Sequence, residues 1–201
     1  SQQAYIKPST IGGDSFGERV RLSGDSNTLA VSAVKEDSNA VGVNGDESDN
    51  SAENAGAVYI FVRSGEIWVQ QGYLKASNTD IDDNFGISIS FTEDGNTLAI
   101  GASHEASPSV GFDGIQQINS APISGAVYLF NRTGTIWTQK KYLKASNTNL
   151  TSQAGFGYTV SVSSDGFVIA VGAPGEESNA SGVNGDESNV SKYLAGAVYL
   201  Y

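Results

Sequence analysis

The chain has 201 residues, of which 39% are apolar and 16% charged, the size and make-up of one packed domain rather than a disordered tail. A formal net charge of -11 argues against nucleic acid and anionic membrane as partners, and no stretch reaches the ~18 consecutive apolar residues that a spanning helix needs. With no cysteine and a single histidine, His104, neither disulfides, nor a thiolate metal site, nor a histidine-based zinc site within one chain is expected.

Internal repetition decides the fold. Phe-Gly occurs at Phe16, Phe85 and Phe156, and Gly-Ala-Val-Tyr begins at Gly56, Gly125 and Gly196; both series step by 69 and then 71 residues. Tyr-Leu-Lys-Ala-Ser-Asn-Thr stands at Tyr73–Thr79 and again at Tyr142–Thr148, and Tyr5-Ile6-Lys7-Pro8-Ser9-Thr10 is a worn copy of it. In chain order the first element is therefore Gln2–Lys7, an outer, fourth strand. Each unit then opens with a strand from Phe-Gly, as in Gly86–Phe91 or Tyr158–Val162. A turn follows around Asp25, Asp94-Gly95 or Asp165-Gly166, where a two-residue hairpin with positive φ at both central positions is expected. The second strand (Thr28–Val31, Thr97–Ile100, Val168–Val171) and the third (Ala57–Val62 and its copies) are apolar without alternation, so both faces of each are expected to be buried. A fourth strand follows from Ile67 and from Ile136.

No segment carries a 3.6-residue apolar period, so helix is not expected. The fold class is all-β: one repeat domain over 1–201, with units at about 11–75, 80–144 and 151–201 and the outer strand 2–7. Four-stranded antiparallel units with both faces apolar describe β-propeller blades; a sandwich would leave one face of most strands wet. The chain begins within a fourth strand and ends after a third, Ala197–Tyr201, an offset that latches a ring in closed propellers. Three blades are too few to close alone. Either two chains make a six-bladed ring, each donating Gln2–Lys7 to the other's third unit, or the chain is an excerpt of a longer array; a contact that fails to close would run on as a filament.

Phe-Gly, a hairpin and then Gly172-Ala173-Pro174 form the pattern of the FG-GAP repeat, and the chain resembles that family, found in integrin alpha-subunit propellers and in bacterial surface proteins. The second and first units depart from it, with Gly101-Ala102-Ser103 and Ser32-Ala33-Val34. The resemblance implies an extracellular or cell-surface protein of the shorter bacterial variety. Integrin blades often carry an Asp-rich calcium loop between their first two strands; only short turns stand there in this chain, so that loop is not carried over.

Strand order sorts the connections onto two rims. One receives the long loops Lys35–Ala55, His104–Ser124 and Glu176–Ala195, and with them most of the acid: Glu36, Asp37, Asp46, Glu47, Asp49, Glu53, Asp80, Asp82, Asp83, Glu176, Glu177, Asp186 and Glu187. Loops at one end of a rigid scaffold commonly bind ligands. Within them, Asn44-Gly45-Asp46-Glu47-Ser48 and Asn184-Gly185-Asp186-Glu187-Ser188 place oxygen ligands at alternate positions, as calcium loops begin. Asn44, Asp46, Ser48, Asn184, Asp186 and Ser188 are thus candidate calcium ligands, with Asp80, Asp82 and Asp83 as a second cluster. The competing reading is an Asn-Gly turn with solvated acids. His104 stands beside Glu105 with no nucleophile selected by spacing, and the sequons at Asn131, Asn149, Asn179 and Asn189 matter only in a secretory host. The function expected is a non-catalytic recognition or adhesion module that binds a protein or glycan, with calcium as its cofactor in the metal-dependent version. A self-assembling surface protein joined by strand donation is the alternative, and a polysaccharide-active enzyme a further one.

Overall fold

The computed structural model describes residues 1–148 and 153–201. The sequon at Asn149 and the start of the third unit at residue 151 lie outside the described residues. The described chain is all-β, with twelve strands and no helix. The first sheet pairs β1 (Phe16–Leu22), β2 (Thr28–Ala33), β3 (Ala57–Ser64) and β4 (Ile67–Leu74) in that order, every neighbour antiparallel. The second repeats it with β5 (Phe85–Phe91), β6 (Thr97–Ala102), β8 (Ala126–Thr133) and β9 (Ile136–Lys144), and adds the two-residue β7 (Gly111–Phe112) outside β9. The third has three strands, β10 (Thr159–Val162), β11 (Ile169–Ala173) and β12 (Ala197–Leu200).

Burial explains the unalternating strands. In β3, Ala57 to Phe61 are all buried, because Val58 and Ile60 face the second sheet while Tyr59 and Phe61 pack on the other side with Phe16, Trp68 and Ile6. Val58, Ile60 and Leu74 of the first sheet pack with Phe85, Ile89, Tyr128 and Phe130 of the second. Val127 and Leu143 of the second pack in the same way with Phe156, Val171, Tyr199 and Tyr201 of the third. The glycines of the two repeated motifs make this approach possible. A Cβ on Gly56 or Gly125 would run into the backbone of Phe85 or Phe156, and one on Gly157 into the Ala126 carbonyl. On the hairpin rim, Gly24 donates to the Glu93 carbonyl at 2.9 Å and Glu93 to that of Ser164 at 3.1 Å, which stacks the three turns.

Two expectations are corrected. The hairpin turns are wider than two residues: Thr92 and Thr97 close a loop in which Gly95 alone of Asp94 and Gly95 takes positive φ (65°). Asp94 there accepts the Asn96 amide at 3.0 Å, and Thr92 Oγ1 the Thr97 amide at 3.0 Å, so side chains supply the turn bonds that a tighter hairpin would make with backbone. Secondly, Gln2–Lys7 is not a strand. The segment runs along the first sheet with Ile6 packed beside Phe16 and Trp68, and among the described residues no third strand lies next to it to complete a ladder.

Candidate functional site: the loop rim

The long connections do gather on one rim. The first two fold back over the outer edge of their own sheets: Val43 bridges to Leu74, and Gly111 and Phe112 pair with Lys144 and Leu143. Asn44 and Asp113 then enter the left-handed region, at φ 56° and 50°, and turn their side-chain oxygens onto the backbone amides of Tyr73 (2.9 Å) and Tyr142 (3.0 Å). That turn is why the short polar residues stand there.

The candidate calcium ligands are therefore engaged differently from one another. Asn44 serves the strand edge, while Asp46 Oδ1 accepts both the Ser48 amide (2.9 Å) and the Ser48 hydroxyl (2.6 Å). Asp186 and Ser188 repeat the second arrangement at 2.9 and 2.6 Å. These bonds hold the Asp46 and Asp186 carboxyls below the ordinary carboxylate range. Asn184 takes the same backbone turn as Asn44 (φ 56°) and lines an open groove instead of a strand. Asp80, Asp82 and Asp83 also part company. Asp83 is buried and accepts the Asp80 amide at 3.0 Å, Asp82 accepts the Asn54 side-chain amide at 2.8 Å, and Asp80 is held by Asn119. Among the described residues no group of three or more His, Asp or Glu side chains is placed to hold a metal ion.

Not all of the rim acid is solvated. Glu36, Glu105 and Glu176 are buried at equivalent places in the three units, each beneath its long loop. Glu36 accepts the Lys75 ammonium at 2.7 Å and the Tyr73 hydroxyl at 2.7 Å. Glu105 accepts Lys144 at 2.7 Å, the Asn78 amide at 2.9 Å and the Ser107 amide at 3.2 Å. Burial pushes the Lys75 and Lys144 ammonium groups down from the usual lysine range, and the facing glutamates oppose that shift. Glu176 accepts Asn147 at 2.8 Å and Ser178 at 2.9 and 3.0 Å, and no cation faces it among the described residues. These nodes are absent from the sequence expectations, yet a signal was there: Glu and Lys stand 39 residues apart in both complete units and follow the same 69-residue step. Beside the second node, burial and the neighbouring Glu105 push Asp83 up to about 8.

On the same rim the first two units form a cleft of about 630 Å³ whose lining includes Lys35, Asn54, Asp82, Asn84, His104 and Ile123. The Asn84 amide nitrogen lies 2.7 Å from His104 Nδ1; with the amide donating, the ring proton sits on Nε2. Asn54, Asp82, Asn84 and Ile123 all have positive φ, from 53° to 63°, so the wall of this cleft is built of tight turns.

The repeated sheets, the Phe-Gly turns and the interlocking glycines agree with one known family. Residues 68–130 match the FG-GAP repeat. The matched stretch runs from the fourth strand of the first sheet to the third strand of the second and contains Phe85-Gly86. The FG-GAP repeat is a module of β-propeller type, in keeping with sheets stacked face to face and their first strands side by side. No curated protein matches the chain.

Proposed function

We propose that this chain is a non-catalytic, extracellular recognition module that binds a protein or glycan on its loop rim. The observation that carries this reading is the cleft between the first two units. It brings an ammonium, two side-chain amides, a carboxylate and an imidazole to one open face, each on a turn braced by the sheets beneath. Convergent polar groups on a rigid scaffold suit ligands rich in hydroxyl and amide groups. Asp46 and Asp186, which are exposed, and Glu47, Asp49 and Glu187, which are half-buried, add negative charge to the rim, which favours cationic or neutral partners over anionic ones. Calcium enters as a bridge between such a ligand and these acids, by oxygen ligation shared with the bound molecule.

The test is an array of neutral, basic and acidic glycans and peptides probed with the labelled chain and with the variant Asp82→Ala/His104→Ala, in calcium and in EDTA. Retention of neutral or basic probes by the native chain, lost in the variant, is expected, and loss in EDTA identifies the calcium-dependent form. No retention, or retention unaffected by the substitutions, overturns the assignment.

A further inference from the structure

Two kinds of residue line the rim cleft between the first two units. Lys35, Asp82 and His104 are polar and exposed, whereas Ile81, Ala106, Pro122 and Ile123 are apolar. Ile81 is 56% exposed and Pro122 is exposed as well, so this apolar lining is not simply the edge of the core.

Relative to the first unit, the apolar set stands in place of polar and charged groups. The 69-residue step carries Asp37, Glu53 and Asn54 onto Ala106, Pro122 and Ile123. The backbone is the same in both: Ala52 donates to the Asp37 carbonyl at 2.7 Å, and Ala121 to that of Ala106 at 2.8 Å. In the first unit Asp37 Oδ1 also accepts the Asn54 amide at 2.7 Å, and Asn54 enters the left-handed region (φ 53°) as asparagine readily does. In the second unit Ala106 has no such acceptor, and Ile123 holds φ 58° with a β-branched side chain. The first unit thus makes this turn without the isoleucine or the proline. The exchange runs on along the loop, where Ile115 and Ile118, 63% and 48% exposed, stand in place of Asp46 and Asp49. Exposed aliphatic side chains, one of them on a strained backbone, are a cost to the fold, and such strain is kept where it serves a site.

The polar lining decides what kind of molecule brings an aliphatic group to this place. Asp82 is an acceptor, His104 donates from Nε2 because Asn84 holds its Nδ1, and Lys35 is a second donor. One acceptor beside two donors matches the N–H and C=O groups that an extended peptide offers at every residue. A sugar ring packs its apolar face best on an aromatic side chain, and among the described residues no Phe, Tyr or Trp lines the cleft. The net charge of -11 favours basic over acidic residues on either side of the aliphatic one. We propose that the cleft takes an extended peptide segment of a partner protein, with a branched aliphatic side chain seated against Ile81, Pro122 and Ile123, backbone groups on Asp82 and His104, and basic flanks. The proposal rests on the loop rim being a recognition surface, and it makes Ile123 a specificity-determining residue.

The experiment is a fluorescence-polarisation titration of the chain to ~100 µM, a range that detects dissociation constants from micromolar downward. The probes are labelled peptides whose central residue is Ile, Leu, Val, Ser or Asp and whose flanks are Lys or Glu, with labelled neutral and basic glycans run alongside. The native chain should bind Ile, Leu and Val peptides with Lys flanks about 10-fold or more tighter than their Ser and Asp counterparts, as burial of one aliphatic side chain predicts, and should bind the Glu-flanked set more weakly. Ile123→Asn has Asn54 as the precedent for its turn and should keep the native circular dichroism, yet lose the preference for an aliphatic centre. Ile81→Ser, an exposed position, should lose it independently. Asp82→Ala/His104→Ala should weaken all the peptides alike, since it removes backbone contacts. Peptides bound without regard to their central residue, or a preference that Ile123→Asn and Ile81→Ser both leave in place, overturn the proposal while the recognition reading stands. Binding of glycans and of no peptide does the same, and binding of neither overturns both.

Discussion

Glu105 and Glu176 occupy the same place in consecutive units, are equally buried, and share serine and asparagine donors, but only Glu105 faces a lysine. The difference arises in strand content. Lys144 ends β9, a fourth strand, and among the described residues the third sheet has three strands. A buried carboxylate without a cation is costly unless its charge is met by several donors. The third unit makes do with the donors that its own loop and Asn147 provide. The second node is closed by a cation; the third, among the described residues, is met by hydrogen-bond donors alone.

The largest effect should come from opening the closed node. Lys144→Ala leaves Glu105 buried against hydrogen-bond donors alone and should cost about 3–5 kcal/mol in urea unfolding, while Lys144→Met combined with Glu105→Gln should recover most of that loss. Glu176→Gln should change stability by less than about 1 kcal/mol because no ion pair is broken. If Glu176→Gln destabilises as much as Lys144→Ala, the two nodes are equivalent and the comparison fails.

The glycines sharpen the same contrast between a filled and an empty seam. Gly125→Ala must hold a left-handed backbone (φ 81°) and drive a methyl into the Phe156 carbonyl, together about 3 kcal/mol. Gly196→Ala meets only the backbone cost, about 1 kcal/mol in the single chain, since nothing of a neighbouring unit lies against it. Thermal unfolding of the two variants side by side measures the gap. Equal losses would mean that the seam glycines serve backbone conformation alone.

Sequence periodicity revealed the three units, the strand order and the rim that takes the long loops, because each rests on patterns that recur at 69 and 71 residues and on strands apolar on both faces. The rim chemistry was less legible. Asn44 and Asp46 look alike as oxygen donors in a sequence, but a left-handed turn sends one to a strand edge and the other to its own loop. Glu36 and Glu176 read as solvated acids because each opens a loop rich in polar and acidic residues; their burial comes from loops and strands well separated from them along the chain, as Lys75 is from Glu36 by 39 residues. Gln2–Lys7 reads as a strand on its side-chain pattern, yet a strand needs a neighbour to hydrogen-bond with, and pattern does not supply one.

Asp83 extends the comparison to pH. Its carboxyl is held near pH 8 in the folded chain, chiefly by burial and then by Glu105, against ~3.9 for an unfolded aspartate. Between those values the folded chain keeps a proton that the unfolded chain has released, so stability falls as pH rises from about 4 to about 8. Asp83→Asn should remove that decline: its melting temperature should match the native chain near pH 4 and exceed it above about pH 8. The third unit has Ala154 at this place and adds no such slope. Parallel pH profiles for variant and native chain would place the proton elsewhere.

The smallest expected effect concerns the turn two residues before each Gly-Ala-Val-Tyr, where Asn54, Ile123 and Leu194 all adopt φ between 53° and 58°. The turn is needed because its carbonyl accepts an amide from the next unit, Asn84 on Asn54 at 3.1 Å and Gly155 on Ile123 at 2.9 Å. Asparagine enters this region readily, whereas a β-branched side chain crowds its own backbone there. Ile123→Asn should therefore stabilise the chain by about 1 kcal/mol in urea unfolding, since the bond to Gly155 is made by backbone and survives the change. A loss of stability would show that the Ile123 side chain, on the wall of the rim cleft, contributes more by its packing than its backbone costs.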